Sequence, residues 1–436
     1  MLSVPKKNSK IPLLVVTALA FVSLILFQTR DFSQAVQSPI SAANLHKVVS
    51  LVILNIYLLG YLLLRGIPRR LAHFQYGYLL YIVVGGFSSV LFSSEKLFSI
   101  WKLYEVFAVF LLSVYVLSLS RDKPILSYSF YEMCLSFLKF MLVVTAIGAA
   151  IYPSEAFRSP LSDESLAVYG RPVLPFQIFG TIIQVNPNSL GAMSAILLFV
   201  YLRRYLSRRS SASGWFWIAF SGAFLILSQS RTAFFGLLCS FVLILVIDRN
   251  IMRRTKLTMM ALLGVFGLLL AGTAVDYLTR GVDAERLATL SGRTIWWETA
   301  ILEYGSAGVV EKLIGMGFAT ASRNILSDKL GAEGAATLHS DYIDALVSSG
   351  ALGFVMILLI MFGLLWKAYR HAVKSGDAIA MEILGVVVIL MVRSFSGTTV
   401  ASHNVFLILL FSIAVYLRVF YQNHNSYGAK YAPSAC

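Results

Sequence analysis

Residues 346–366 read LVSSGALGFVMILLIMFGLLW, a run without a single charged side chain, and Lys367 follows directly. A helix needs about 20 such residues to cross the hydrocarbon of a bilayer, where each backbone polar group must be bonded within the helix. We find about twelve runs of this kind. They cover residues 11–28, 48–64, 74–92, 97–119, 132–152, 187–202, 215–229, 232–247, 257–275, 346–366, 378–395 and 405–420. The sequence therefore predicts an all-α polytopic membrane protein, with residues 1–436 forming a single integral membrane domain.

The composition excludes the other broad classes of protein. The 436 residues are 58% hydrophobic and only 13% charged, whereas soluble domains carry about 25% charged residues. A soluble multidomain enzyme and a disordered chain are both excluded. The net charge of +15 does not indicate a nucleic-acid partner, because the basic residues form short clusters between apolar runs. Cys134, Cys239 and Cys436 are too far apart for a disulfide framework or a zinc site.

The positions of Lys and Arg predict the orientation. These residues collect in the N-terminal segment and in every even-numbered connection of the twelve-span arrangement, and short cytoplasmic loops carry such an excess. Both termini are therefore expected in the cytoplasm. The first run is interpreted as an uncleaved signal anchor, because no small-x-small cleavage site follows it.

On the outer face, residues 276–340 form a long connection that holds much of the polar character of the chain. A long polar segment on one face of a helical bundle usually has a function. We therefore expect a large loop on this face that contains short helices and has a function.

The first candidate site residue is Arg231, in Ser228-Gln229-Ser230-Arg231-Thr232 between two apolar runs. One interpretation is an interfacial arginine that extends toward water from a tight turn. The other is an anion site, because basic residues are sparse on the outer face and Arg231 has hydroxyl and amide neighbours such as Ser230. A phosphate ligand fits this second interpretation.

The second candidate is Arg293, in Ser291-Gly292-Arg293-Thr294-Ile295-Trp296-Trp297-Glu298. Ser291 is expected to cap a helix that continues to about Tyr304. The first turn of a helix disfavours a cation, yet the same position suits an arginine that binds an anion beside free backbone N–H groups. Trp297 and its neighbour are either membrane-interface anchors or rings that stack on a sugar.

The third candidate is His339, just before an apolar run. In Leu338-His339-Ser340-Asp341-Tyr342, Ser340 is a natural N-cap, and Asp341 suits the helix dipole. A lone histidine is more often structural than catalytic. A neutral imidazole at the boundary of water and lipid nevertheless suits a base that accepts a proton near pH 7.

Other polar residues receive mostly structural interpretations. Asn186 and Pro187 predict a helix start. Lys102 and Glu105 are expected to neutralise each other inside the bundle, with Lys139 as a candidate third member. Arg171, in Gly170-Arg171-Pro172, is a further candidate phosphate contact. No P-loop, dinucleotide fingerprint, HExxH or paired-carboxylate metal motif stands in a suitable context, so we expect no cofactor and no metal.

The ordered set of motifs resembles the bacterial O-antigen ligase and O-antigen polymerase family of membrane glycosyltransferases. The set comprises Ser230-Arg231-Thr232, Gly292-Arg293 followed by Trp297, Ile314-Gly315-Met316-Gly317-Phe318, and His339-Ser340-Asp341-Tyr342 with Gly350-Ala351-Leu352-Gly353. It covers about residues 185–400. One departure is visible, since the family often has Asn where this chain has Ser340, and this leaves the contact with the acceptor open.

The resemblance implies a protein of the bacterial inner (plasma) membrane with a GT-C-like fold of about twelve helices, in which residues 276–340 form a large periplasmic loop that carries part of the active site. It also implies transfer of a glycan from undecaprenyl pyrophosphate to an acceptor hydroxyl on the periplasmic face, with neither metal nor nucleotide. By matching position, it implies that Arg231 and Arg293 bind the pyrophosphate and that His339 activates the acceptor. Further candidate substrate contacts are Arg171, Ser230, Trp297, Ser340, Asp341 and Tyr342. The acceptor is either the lipid A–core, for a ligase in lipopolysaccharide biosynthesis, or a second lipid-linked glycan, for a polymerase of O-antigen or exopolysaccharide.

Two other classes of function remain open at this point. A lipid-linked glycan flippase or other transporter is typically built from inverted repeats, with broken helices and charged residues near the midplane. Here most polar residues gather at one face instead, apart from Lys102, Glu105 and Lys139. A receptor that binds glycan without chemistry would keep the tryptophans but would not need the histidine.

Overall fold

The structure is a computed structural model that describes residues 11–25, 45–68, 70–158, 176–207, 213–249, 251–269, 293–330 and 337–426. Within these ranges it is almost entirely helical. The first half contains α1 (Ile11–Val22), α2 (Leu45–Arg65), α3 (His73–Phe92), α4 (Lys96–Asp122), α5 (Ile125–Ile151), α6 (Pro153–Ala156), β1 (Phe157–Arg158), β2 (Gln177–Ile178) and α7 (Pro187–Leu206). The two strands pair antiparallel, with Phe157 opposite Ile178.

The second half begins with three apolar helices, continues with three short polar ones and ends with three long ones. These elements are α8 (Ser213–Ser228), α9 (Arg231–Ile247), α10 (Arg253–Leu269), α11 (Arg293–Ser306), α12 (Val309–Ile314), α13 (Thr320–Asn324), a π-helical turn (Ile325–Lys329), α14 (Asp341–Ser375), α15 (Ala378–Ser396) and α16 (Val405–Ser426). The described part of the long connection is thus built of short helices, as expected.

Each of the twelve predicted apolar runs coincides, at least in part, with a helix. Within the described ranges, seven helices are long and apolar enough to cross a membrane: α2, α3, α4, α5, α7, α14 and α15. Four shorter apolar helices are α1, α8, α9 and residues 405–420 of α16. The prediction of an all-α polytopic membrane protein is therefore confirmed, whereas the exact count of twelve spans stays a prediction.

Helix α14 differs from the predicted run because it is two helices joined at Gly350. The backbone of Gly350 has φ 66° and ψ −169°, which is not helical. The chain around Gly315 packs against this break, and Met316 donates its backbone N–H to the carbonyl of Val347 at 2.9 Å. The first part of α14, residues 341–349, is therefore a separate short helix, and its contact with the segment around Gly315 sets its direction.

Helices of both halves meet at two opposite ends. At one end lie the N-terminal residues of α7, α9 and α14 and the C-terminal residues of α15, and we call this the site end. At the other, the ion-pair end, Arg203 of α7 pairs with the buried Asp248, and Arg204 pairs with Glu132 and Glu382. Buried charges require such partners, so these pairs hold α5, α7, α9 and α15 together at the ion-pair end.

Candidate functional site

The two predicted arginine motifs meet at Ser396, the last residue of α15. Thr232, next to Arg231 at the start of α9, forms a 2.7 Å hydrogen bond between its hydroxyl and the hydroxyl of Ser396. Arg293, the first residue of α11, donates from Nη1 to the carbonyl of Ser396 at 2.6 Å. Two arginine-bearing helix starts, far apart in sequence, thus lie on the same residue at the site end.

The turn before Arg231 is fixed by contacts with the strand region. Gln229 has a positive φ of 50°, and its amide donates to the carbonyl of Phe176 at 2.7 Å. The Gln177 amide donates in turn to the carbonyl of Ser228 at 3.3 Å. Ser230 is buried and packs so closely on Gly191 that a side chain there would collide with it. This turn is a packed element, so the direction in which α9 leaves it is set by its neighbours.

His339 lies in a loop whose neighbouring residues are held on both sides. The backbone N–H of Leu338 donates to Oδ1 of Asp344 at 3.0 Å, and the Leu338 carbonyl accepts from the indole Nε1 of Trp297 at 2.8 Å. On the other side, Ser340 caps α14 by accepting from the backbone of Ile343. His339 itself has φ 54°, a left-handed conformation that costs free energy for a residue with a Cβ. Such a conformation persists only where the surroundings impose it.

The surroundings of His339 favour the neutral imidazole. Its ring stacks on Trp296 with 5.8 Å between ring centroids and 24° between ring planes. Burial, the nearby Arg293 and then Arg393 lower the pKa of His339 to about 4, because each disfavours a further positive charge. At pH 7 His339 is therefore neutral and has a ring nitrogen that accepts a proton.

Asp341, one of the predicted substrate contacts, has backbone partners within the protein. Its carboxylate is fully buried. Its oxygens accept hydrogen bonds from the backbone N–H groups of Thr399 at 2.8 Å, Val400 at 3.1 Å and Ala401 at 2.9 Å. The carboxylate thus binds the protein's own backbone, which attaches the start of α14 to the loop after α15.

The other predicted contacts are placed as follows. Trp297 uses its indole N–H on Leu338 and packs against a small apolar cluster of buried residues: Ala300, Ala321, Ile325, Leu326, Leu338 and Val347. Ser340 is buried and serves as the helix cap. Tyr342 is also buried, with its ring 4.8 Å from that of Phe395. Arg171 and the predicted cap Ser291 lie outside the described residues.

Arg393 belongs to the same region, and sequence reasoning missed it. It lies near the end of α15, within the run 378–395, and it is buried. Its charge is one of the causes that lower the pKa of His339. The signal was available, because an arginine inside an apolar run normally faces a cavity or a partner.

The structural interpretations of other polar residues fare unevenly. Asn186 caps α7 with Pro187 at its first position, as predicted. Glu105 pairs with Lys102 at 3.2 Å, also as predicted, but the third member is Lys47 at 2.7 Å. Lys139 was the wrong candidate, because it lies over the ring of Trp217. Among the described residues, no group of three His, Cys, Asp or Glu side chains is arranged to hold a metal ion.

Taken together, these contacts define a multi-pass helical membrane protein with a cationic, hydroxyl-rich site and a neutral histidine at one end of its bundle. A family model described as O-antigen ligase matches residues 216–358, which run from α8 into the second part of α14 and include Arg231, Arg293 and His339. This match confirms the resemblance to the O-antigen ligase family. No curated protein matches the chain. The family supports a membrane glycosyltransferase-like role in O-antigen assembly.

Proposed function

We propose that this protein is a metal-independent membrane glycosyltransferase that moves a glycan from undecaprenyl pyrophosphate to an acceptor hydroxyl, with Arg231 and Arg293 binding the pyrophosphate and His339 acting as the base. The observation that carries the proposal is the convergence of the elements bearing these three residues. The two arginine helices meet at Ser396, and the charge of Arg293 reaches His339.

The reaction that we propose is a single displacement at the anomeric carbon of the donor sugar. The acceptor oxygen forms the new bond to this carbon, while the bond between the carbon and the pyrophosphate oxygen breaks. His339 accepts the proton of the acceptor hydroxyl, and the lipid pyrophosphate leaves with the electron pair. A positioned base contributes about 10²–10⁴-fold to such a step.

The two arginines stabilise the pyrophosphate leaving group. Pyrophosphate develops negative charge as its bond to the sugar breaks, and a guanidinium presents paired N–H donors that match phosphate oxygens. Arg293 is held in place by the carbonyl of Ser396, so its position is set before the donor arrives. The polyprenyl tail stays in lipid beside the apolar helices, and only the head group enters the site end.

The orientation completes the proposal. Basic residues collect at the end opposite the site, as in Arg203 and Arg204, and positively charged connections favour the cytoplasm. We therefore propose an inner-membrane protein with both termini in the cytoplasm and the site end in the periplasm. Residues 276–340 belong to the same membrane domain and contribute Arg293 and His339. A ligase and a polymerase share this chemistry and differ only in the acceptor.

The test supplies purified protein in liposomes with an undecaprenyl-pyrophosphate-linked glycan and one of two acceptors, lipid A–core or a second lipid-linked glycan. We expect transfer to one of them, and the product distinguishes a ligase from a polymerase. Transbilayer movement of the lipid-linked glycan without any product would contradict the proposal and indicate a flippase.

His339→Ala tests the base. We expect transfer to fall by at least about 100-fold with normal membrane insertion. His73→Ala is the matched control, because this exposed histidine begins α3 and lies outside the site. Transfer that persists in His339→Ala at the wild-type rate would remove the histidine from the mechanism.

A further inference from the structure

Several side chains of the site converge on the short segment Ser396–Ala401, which begins with the last residue of α15 and lies outside the family match at residues 216–358. Arg293 and Thr232 reach Ser396, and the carboxylate of Asp341 holds three successive backbone N–H groups, as described above. Tyr78, from the distant helix α3, donates its hydroxyl to the carbonyl of Val400 at 2.8 Å. This segment therefore connects four helices that are separate in sequence.

Arg393 holds the same segment from the other side. Its Nη1 donates to the carbonyl of Thr398 and, at 3.3 Å, to the hydroxyl of Thr399. Its Nη2 donates to the hydroxyl of Ser189 at 3.2 Å, which links α15 to the start of α7. The guanidinium also lies 4.1 Å from the ring centroid of Phe406. A buried arginine held by three polar partners and a ring is fixed in one geometry.

We propose that Arg393 is a positioning residue for His339: together with Asp341 it clamps the segment Ser396–Ala401, on which the loop that carries the histidine depends. The inference rests on the proposed function, because it assigns Arg393 a role in that same reaction.

The path from Arg393 to His339 is short: hydrogen bonds lead to Asp341, and the backbone leads from Asp341 to His339. Arg393 fixes Thr398 and Thr399 by their oxygens, and Asp341 takes the N–H groups that follow. Asp341 is only two residues after His339 and lies in the first turn of α14. A loop held at both its carbonyl and its amide groups has little freedom to shift. Loss of either clamp therefore displaces the base, and small displacements reduce catalysis strongly.

Arg393 also acts through its charge. Among the residues that the structure describes, the charged groups that lower the pKa of His339 are Arg293 from α11 and Arg393 from α15, and the ring of Trp296 covers one face of the imidazole. Both arginines disfavour the imidazolium. Removal of the charge of Arg393 therefore makes His339 easier to protonate, whereas replacement by lysine keeps the charge and removes only the fork of N–H donors.

The test compares Arg393→Lys and Arg393→Gln in the transfer assay, as a function of pH and donor concentration. For Arg393→Lys we expect kcat to fall about tenfold or more, with the donor KM within about twofold of wild type because uniform substrate binding is not affected, and with the acid limb of the pH profile in place. For Arg393→Gln we expect a larger fall in kcat and an acid limb displaced to higher pH.

Arg203→Gln is the matched control, since it removes a buried arginine from the ion-pair end, far from His339 in the fold. We expect it to lower stability but not kcat per folded molecule. A rise in donor KM with unchanged kcat in the Arg393 variants would overturn the inference, because it indicates direct contact with the donor. Wild-type kcat and pH profile in both Arg393 variants would overturn it too.

A milder variant and a measurement without substrate keep the test decisive. Thr399→Val removes one acceptor of Arg393 and folds more readily than a charge deletion, so we expect a smaller fall in kcat at unchanged KM. Hydrogen exchange at the amides of residues 399–401 should accelerate in Arg393→Gln but not in Arg203→Gln. Unchanged exchange in Arg393→Gln would overturn the clamp, even if the wild-type protein transfers no glycan. If the wild type is inactive but exchange accelerates in Arg393→Gln, only the proposed function is overturned.

Discussion

A methyl group at Gly350 should disturb both the stability and the activity of the protein. The backbone of Gly350 has φ 66° and ψ −169°, a region that only glycine adopts readily, and other residues lose about 1–3 kcal/mol there. A Cβ would also lie 2.4 Å from the backbone carbon and oxygen of Leu313. These are backbone atoms that cannot rotate away, and overpacking of this kind costs about 1–3 kcal/mol more. Gly350→Ala should therefore lose about 2–6 kcal/mol of folding free energy, unless the segments separate.

Separation of the two segments would appear in the activity. The contact with Leu313 fixes the angle between the second part of α14, which is apolar, and residues 341–349, which follow His339 directly. If the backbone relaxes to accommodate the methyl group, this short helix must move away from the loop that contains Gly315. We therefore expect kcat to fall more than the donor KM rises, because the base is displaced while the arginines on α9 and α11 keep their places.

Gly363→Ala is the control on the same helix. Gly363 lies in the regular part of α14, and a Cβ there meets no atom within 4 Å, so alanine should be neutral or stabilising by about 0.5–1 kcal/mol. Thermal unfolding in detergent, followed by tryptophan fluorescence, and the transfer rate give the comparison. Equal stability and equal activity of the two variants would refute the role assigned to the break at Gly350.

Three further results are expected. Arg231→Lys and Arg293→Lys should both impair transfer although the charge is kept, because the guanidinium fork is lost. Arg323 pairs with an exposed carboxylate, so Arg323→Lys is the control and should leave transfer unchanged. Normal donor binding in the first two variants would indicate that these arginines have a structural role. Activity should fall with decreasing pH as His339 is protonated. The acid limb of kcat should lie at higher pH than the acid limb of kcat/KM for the donor, since kcat reports the enzyme with its donor bound and kcat/KM reports the free enzyme. Acid limbs at the same pH would contradict this expectation. Trp297→Phe should lose one hydrogen bond to the carbonyl before the histidine, worth about 1 kcal/mol, and lower kcat at unchanged KM, whereas a wild-type kcat would show that this bond does not position the base.

The helices could be predicted from the sequence because a membrane imposes one simple demand on every spanning segment. Each needs a long apolar run whose backbone is bonded internally, and this demand is local. The helix starts at Pro187 and Asp341 were predictable for the same reason, since Asn186 and Ser340 are caps that act within one turn. The break at Gly350 was not, because it depends on the backbone of Leu313, which approaches only in the folded chain.

The site shows the same division between local and distant causes. Arg231 and His339 could be singled out as polar residues at boundaries of apolar runs, and Arg293 as a cation at a predicted helix start. The position of Asp341 at a helix start could also be predicted, but its partners could not. They are the backbone amide groups of residues 399–401, and every residue type except proline has such a group, so the sequence does not indicate which of them bind the carboxylate. Arg393 was missed because a single arginine does not prevent a run of residues from spanning a membrane.

The low pKa of His339 fits an enzyme whose donor is an anion. In the free protein, burial and then the charges of Arg293 and Arg393 lower the pKa of His339 to about 4, so the imidazole is neutral but a weak base. A bound pyrophosphate would place negative charge beside the same arginines. One charge about 6 Å away, at an effective dielectric constant of about 20, contributes about 3 kcal/mol, or about two pKa units. Under the proposed function the donor thus strengthens the base that acts on the acceptor, because its phosphates offset the field of the arginines. The histidine is then a stronger proton acceptor when a glycan is in place to be transferred.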